Sequence, residues 1–177
     1  MPAADRVYNV LFLCTGNSAR SVLAEAVLNH VGEGRFHAFS AGSTPKGQIH
    51  PMTLKTLQEA GLPTDGLRSK SWDEFAGLDA PKMDFVFTVC DNAAGETCPI
   101  WPGKPMTAHW GIEDPAAVTG PEFKQRQAFE DALRFMRNRI AAFINLPLES
   151  IDKMALTSKL RGIGAMDGST SKSSGTA

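Results

Sequence analysis

The chain has 177 residues, of which 42% are hydrophobic and 21% charged, a balance that suits one ordinary globular domain with a core of its own. Its 18 basic and 19 acidic residues leave a formal net charge of −1, so no overall field draws it to nucleic acid or to a membrane surface, and any preference for anions must be local. The N-terminal apolar run is too short to span a bilayer and lacks a secretory h-region, and cysteines at 14, 90 and 98 do not form the dense, even framework of a secreted domain. These features predict a cytoplasmic protein whose thiols serve chemistry.

Residues 7–13 (VYNVLFL) form a short apolar run rich in branched and aromatic side chains, the pattern of a strand buried on both faces. The run stops at Cys14-Thr15-Gly16-Asn17, and from Ser21 the apolar residues Val22, Leu23, Ala26 and Val27 take helical spacing until Gly32 and Gly34 end it. A second strand is predicted over 35–41 and a helix over 51–60, with Pro51 in its first turn and Gly61 at its end. Residues 83–89 (MDFVFTV) give a third strand that runs into Cys90, and 106–110 a short fourth. A long helix follows over 121–144, with Phe129, Ala132, Leu133, Met136, Ile140 and Phe143 as its apolar stripe, and a further one over 148–160. Strands alternating with helices predict an α/β domain with a parallel sheet covered by helices on both faces. The domain is expected to occupy 1–160, with 161–177, small, polar and without periodicity, as a disordered tail.

In an open α/β sheet, ligands sit beyond the carboxyl ends of the strands, where Cys14 falls. The loop after it enters a helix whose first amides lack intrahelical partners and whose dipole favours negative charge, so peptide N–H groups from Thr15, Gly16, Asn17, Ser18, Ala19 and Arg20 can cradle a tetrahedral oxyanion. Gly16 and Asn17 tolerate the left-handed backbone such a nest requires. Arg20 adds a planar fork able to pair two oxygens at once. The same positive surroundings are expected to lower the pKa of the Cys14 thiol, and Ser21 to donate its hydroxyl to the sulfur. The competing reading is a buried structural cysteine in an ordinary strand-to-helix turn.

Strand, CTGNSARS, helix resembles the low-molecular-weight tyrosine phosphatase superfamily, whose signature is Cys, five residues, Arg, then Ser or Thr, and which also contains arsenate reductases coupled to thioredoxin or similar thiol donors. The resemblance covers roughly residues 7–145 and implies a flavodoxin-like four-stranded parallel sheet. It also implies a general acid from an Asp-Pro pair, here Asp114-Pro115. Phosphatases of this kind follow that pair with aromatic residues, whereas this chain has Ala116-Ala117-Val118 and keeps its one tyrosine, Tyr8, in the first strand.

Reduction needs further thiols near the first, and Cys90 and Cys98 answer that need. Cys90 ends a parallel strand and should share the rim of Cys14; the segment from Val89 to Ala116 resembles the arsenate reductase pattern. The expected activity is therefore reduction of arsenate to arsenite through a relay of Cys14, Cys90 and Cys98, without a cofactor, with thioredoxin or glutaredoxin and glutathione supplying electrons. A phosphotyrosine phosphatase and a non-catalytic thiol sensor are the alternatives. A zinc site from Cys90, Cys98 and His109 lacks a short ligand pair and a fourth ligand, and His109 is expected to be structural. Some relatives hold potassium through oxygens matching Asn17, Glu25 and Ser40, but a further carboxylate of that site aligns with Trp72, so no ion and no metal is predicted.

Overall fold

The computed structural model describes residues 6–94, 99 and 101–170. Four parallel strands, β1 (Tyr8–Cys14), β2 (Phe36–Gly42), β3 (Phe85–Thr88) and β4 (Met106–His109), form one sheet in the order β2-β1-β3-β4. Around them run α1 (Arg20–Val31), α2 (Pro51–Glu59), the single turn α3 (Asp91–Ala94), α4 (Glu122–Ile144) and α5 (Lys153–Gly164). The parallel α/β sheet expected from the alternation is found, with the flavodoxin-like four strands that the family resemblance implies.

Alternation along β1 divides the core. Val10, Phe12 and Cys14 belong to a large cluster with Leu23 and Val27 of α1, Leu57 of α2, Met136, Ile140 and Phe143 of α4, and Leu160 of α5. Leu11 and Leu13 point the other way, into a smaller cluster with Ala41, Val86, Met83 and Trp101, closed by Phe75 on a 3₁₀ turn at Trp72–Phe75. Helical cover is thus unequal, with the long helices gathered on the larger cluster. Trp110 fixes the seam there: its ring lies 3.9 Å from that of Phe87, nearly parallel, and its Nε1 donates to the Leu160 carbonyl at 3.0 Å.

Two expectations at the C-terminal end require correction. The last helix starts at Lys153, not 148, because Asp152 caps it by accepting from the Ala155 N–H, while the Pro147 carbonyl holds 148–151 in turns. It also continues past Leu160 to Gly164, and residues 165–170 return to the sheet, where Ser169 bridges Ile112 and the Thr170 N–H reaches the Gly111 carbonyl. The boundary expected after Leu160 is therefore moved: 161–170 are part of the packed body, and residues 171–177 lie outside the described residues. Among the described residues no helix is long and apolar enough to cross a membrane.

Candidate active site

The loop between β1 and α1 is held from outside by its carbonyls. The Thr15 carbonyl accepts from the Thr44 N–H, that of Gly16 from the Lys46 N–H and the Ser69 hydroxyl, and that of Ser18 from the His50 N–H and the Thr53 hydroxyl. Asn17 is the keystone. It takes the left-handed conformation foreseen for it, φ 45°, and is wholly buried. Its Nδ2 donates to Ser21 at 2.9 Å and to Ser40 at 3.0 Å, and its Oδ1 accepts from the Lys70 N–H at 2.8 Å. Ser21, expected beside the sulfur, is thus engaged with Asn17 and braces the loop. Gly42, paired with Cys14 across the sheet, is obligatory here, because a Cβ would overlap the Thr15 carbonyl.

Cys14 and Cys90 meet at the common rim of β1 and β3, as parallel pairing of those strands requires. Both are buried free thiols, hydrogen-bonded to each other, and the Thr15 hydroxyl lies 3.6 Å from the Cys90 sulfur. Their ionisation is shared. The hydrogen bond from Cys14, together with the Ala93 N–H at 3.4 Å, Thr15 and the charge of Arg20, pulls the Cys90 thiol down to about 5 against the opposing effect of burial. The same hydrogen bond and burial push Cys14 well up, and the Arg20 charge offsets them only in part. The direction at Cys14 is therefore opposite to the expected lowering, and the two thiols ionise as a coupled pair whose lowered member is Cys90. The second thiol outweighs the cation because it lies in direct contact. Cys98, the third thiol of the expected relay, lies outside the described residues.

Arg20, the first residue of α1, sends Nη1 to the Ile112 carbonyl at 3.0 Å and Nη2 to within 3.8 Å of Asp114 Oδ2. Its buried Nε has no partner among the described residues, so a donor is left for an incoming anion. Asp114 caps the short turn Pro115–Ala117 through the Ala116 N–H, which leaves Oδ2 beside Arg20. Loop residues 14–20, Thr44, Lys46, Asn92, Asp114 and Ala116 line a cleft of about 230 Å³. The sequence positions proposed as nucleophile, cradle, fork and acid thus converge on one cavity.

The potassium donor set seen in some relatives does not suit a cation here. Both Asn17 amide protons are given to Ser21 and Ser40, its Oδ1 already accepts from the Lys70 N–H, Ser40 donates to Glu25 at 2.5 Å, and the Lys70 ammonium stands 3.8 Å from Glu25, where it supplies the positive charge. Burial shifts both ends of that pair toward neutrality, Glu25 upward and Lys70 downward, with the partner's charge opposing each shift. Lys70 was missed in the sequence because nothing there places it against Glu25.

Also missed was the network behind Cys90. Asp91 Oδ1 accepts from His109 Nε2 at 2.7 Å and from the Thr170 hydroxyl at 2.6 Å, and His109 Nδ1 lies 2.6 Å from the Thr88 hydroxyl. His109 is satisfied at both nitrogens, as a structural histidine should be.

Residues 9–145 match the family described as low molecular weight phosphotyrosine protein phosphatase. The arsenate reductase of Shouchella clausii is 32% identical over 135 residues, 76% of this chain and 93% of that protein. Among solved structures, the arsenate reductase of Archaeoglobus fulgidus is 29% identical with a TM-score of 0.55, over 75% of this chain and 98% of that one. A thioredoxin-dependent arsenate reductase from Corynebacterium glutamicum is 26% identical with a TM-score of 0.53, over 78% and 64%.

Proposed function

We propose, for a chain that belongs to the low-molecular-weight phosphotyrosine protein phosphatase family, that its reaction is the reduction of arsenate to arsenite. The observation that carries this reading is the second thiol: Cys90 sits in hydrogen-bonding contact with Cys14 at the oxyanion cleft, where phosphate hydrolysis has no use for it. The names of the relatives point the same way.

Arsenate enters with its oxygens on the loop amides from Thr15 to Arg20 and on the Arg20 guanidinium. The proton of Cys14 passes to Cys90, and the Cys14 thiolate attacks arsenic. Asp114 gives its proton to the departing oxygen, which leaves as water. Cys90 gives its proton to the Asp114 carboxylate just formed and, as the thiolate, attacks the Cys14 sulfur; the S–As bond breaks with its electron pair on arsenic, arsenite departs, and a Cys14–Cys90 disulfide remains. Cys98 attacks Cys90, moving the disulfide to Cys90–Cys98 and restoring the Cys14 thiolate. An external thiol donor, of the thioredoxin type or a glutaredoxin with glutathione, reduces that disulfide with two electrons. The relay needs no resident cofactor and takes place in the cytoplasm.

The phosphatase reading lacks an aromatic grip, since among the described residues that line the cleft of the Cys14 loop there is no aromatic side chain for a phosphotyrosine ring to stack on. The test is Cys90→Ser in an assay of NADPH consumption with arsenate, thioredoxin and its reductase. Turnover should vanish while slow hydrolysis of an aryl phosphate persists. Surviving arsenate turnover refutes the relay, and brisk hydrolysis of phosphotyrosine peptides favours the phosphatase. Oxidation without multiple turnover in the unsubstituted protein favours a thiol sensor.

A further inference from the structure

Residues 146–170 lie beyond the part of the chain that matches the family, yet they reach the catalytic rim. α5 is seated on β4 closely enough that a Cβ at Gly164 would overlap the His109 carbonyl, and the Trp110 indole holds the Leu160 carbonyl. Arg139 of α4, wholly buried, then grips the chain as it leaves the helix. Its Nη1 donates to the Asp167 carbonyl at 3.1 Å, and its Nη2 to the carbonyls of Met166 at 3.0 Å and Gly164 at 3.5 Å. A buried guanidinium spent on backbone carbonyls fixes the course of 164–167. From there the Ser169 bridge to Ile112 and the Thr170 N–H on Gly111 deliver the Thr170 hydroxyl to Asp91, next to Cys90.

Asp91 begins α3, and a single turn of four residues cannot hold itself, because helix nucleation costs more than one turn of hydrogen bonds returns. Among the described residues, His109 on β4 and Thr170 from the C-terminal segment grip Asp91 from outside and so steady Cys90 against Cys14. Thr170 also lines a second cleft of about 340 Å³ with Cys90, Arg20 and Asp114, so the grip acts at the mouth of the site.

We propose that residues 164–170 form a clasp on the Cys90 turn, with Thr170 as a positioning residue that keeps Cys90 docked against Cys14. The inference rests on Cys90 being the second thiol of the reaction, but the placement of that thiol can be tested without arsenate. In Thr170→Val, which keeps the shape and loses the hydroxyl, Cys90 should be alkylated by iodoacetamide about tenfold faster at about pH 9.5, where the thiol is ionised whether docked or not, as expected from losing a hydrogen bond to a carboxylate. Alkylation of Cys14, which loses only its hydrogen bond to Cys90, should rise less than that of Cys90, and Thr170→Ser should restore the slow rate. In a single turnover with stoichiometric arsenate, Cys14–Cys90 disulfide should form about tenfold more slowly in Thr170→Val. Equal Cys90 alkylation in the valine variant and the unsubstituted protein overturns the clasp, as does equal acceleration at Cys14, which marks general loosening. If arsenate yields no disulfide even in the unsubstituted protein, the arsenate reading fails while the alkylation result still judges the clasp.

Discussion

Replacing Asn17 by alanine tests the account of the loop most directly. The asparagine contributes three hydrogen bonds in a fully buried setting, to Ser21, Ser40 and the Lys70 N–H, from a left-handed backbone. Alanine leaves the Lys70 N–H without an acceptor, at a cost of about 1–3 kcal/mol, and removes a donor from each of two hydroxyls, about 0.5–1 kcal/mol apiece. Holding alanine at φ 45° adds about 1 kcal/mol. The total is about 4 kcal/mol, a large part of the roughly 5–15 kcal/mol that stabilises a typical domain. Glycine at the same position loses the same hydrogen bonds but sits in the left-handed region without strain, so Asn17→Gly should cost about 1 kcal/mol less than Asn17→Ala. Urea unfolding of the three proteins, compared at unchanged m value, measures both quantities. A loss below about 1 kcal/mol in Asn17→Ala would show that the amide is not the keystone. An alanine variant as stable as the glycine one would show that the backbone strain is imaginary.

Removing the Cys14 sulfur by Cys14→Ala should raise the pKa of the Cys90 thiol, because the hydrogen bond from Cys14 is the largest cause of its low value. The unsubstituted protein should gain thiolate absorbance in the ultraviolet at low pH as pH rises, whereas the variant should gain it only at markedly higher pH; coincident curves would refute the coupling. Arg139→Met leaves the carbonyls of Gly164, Met166 and Asp167 without their donor and should cost about 2–4 kcal/mol in urea unfolding. Because Lys70 stands against Glu25, arsenate turnover should be the same in potassium and in sodium salts of equal ionic strength; a several-fold stimulation by potassium would count against that placement.

Much of the site was legible because its parts are contiguous. Cys14 to Ser21 lie on one loop, and a buried strand running into a glycine-containing turn and a helix leaves them little geometric choice. Cys90 was legible for a different reason, since parallel strands end on one edge and β3 neighbours β1. What the sequence concealed depends on contacts between distant segments. Lys70 against Glu25, Thr170 on Asp91 and Arg139 under the Met166 carbonyl join residues that no periodicity or spacing connects. The segment after Leu160 looked structureless because it is polar and rich in small residues, yet its order comes from Arg139 and the sheet edge, not from any helical or strand pattern of its own.

The shared ionisation of the two thiols bears on the order of the chemistry. A low pKa at Cys14 alone would present incoming arsenate with a thiolate at all times, while Cys90 remained an ordinary thiol unable to attack the adduct at neutral pH. With one proton between two sulfurs, the pair carries a single negative charge in either arrangement, so the cleft offers the same electrostatic cost to a bound oxyanion whichever sulfur is ionised. Moving the proton from Cys14 to Cys90 arms the first attack. Once the Cys14 sulfur is bonded to arsenic, however, its hydrogen bond to Cys90 is gone, and the remaining influences that favour a Cys90 thiolate are the Ala93 N–H, the Thr15 hydroxyl and the Arg20 charge. The second attack therefore depends on contacts that the α3 turn makes possible, so the grip on Asp91 matters at that step as it does at the first, where the docked Cys90 takes the proton of Cys14.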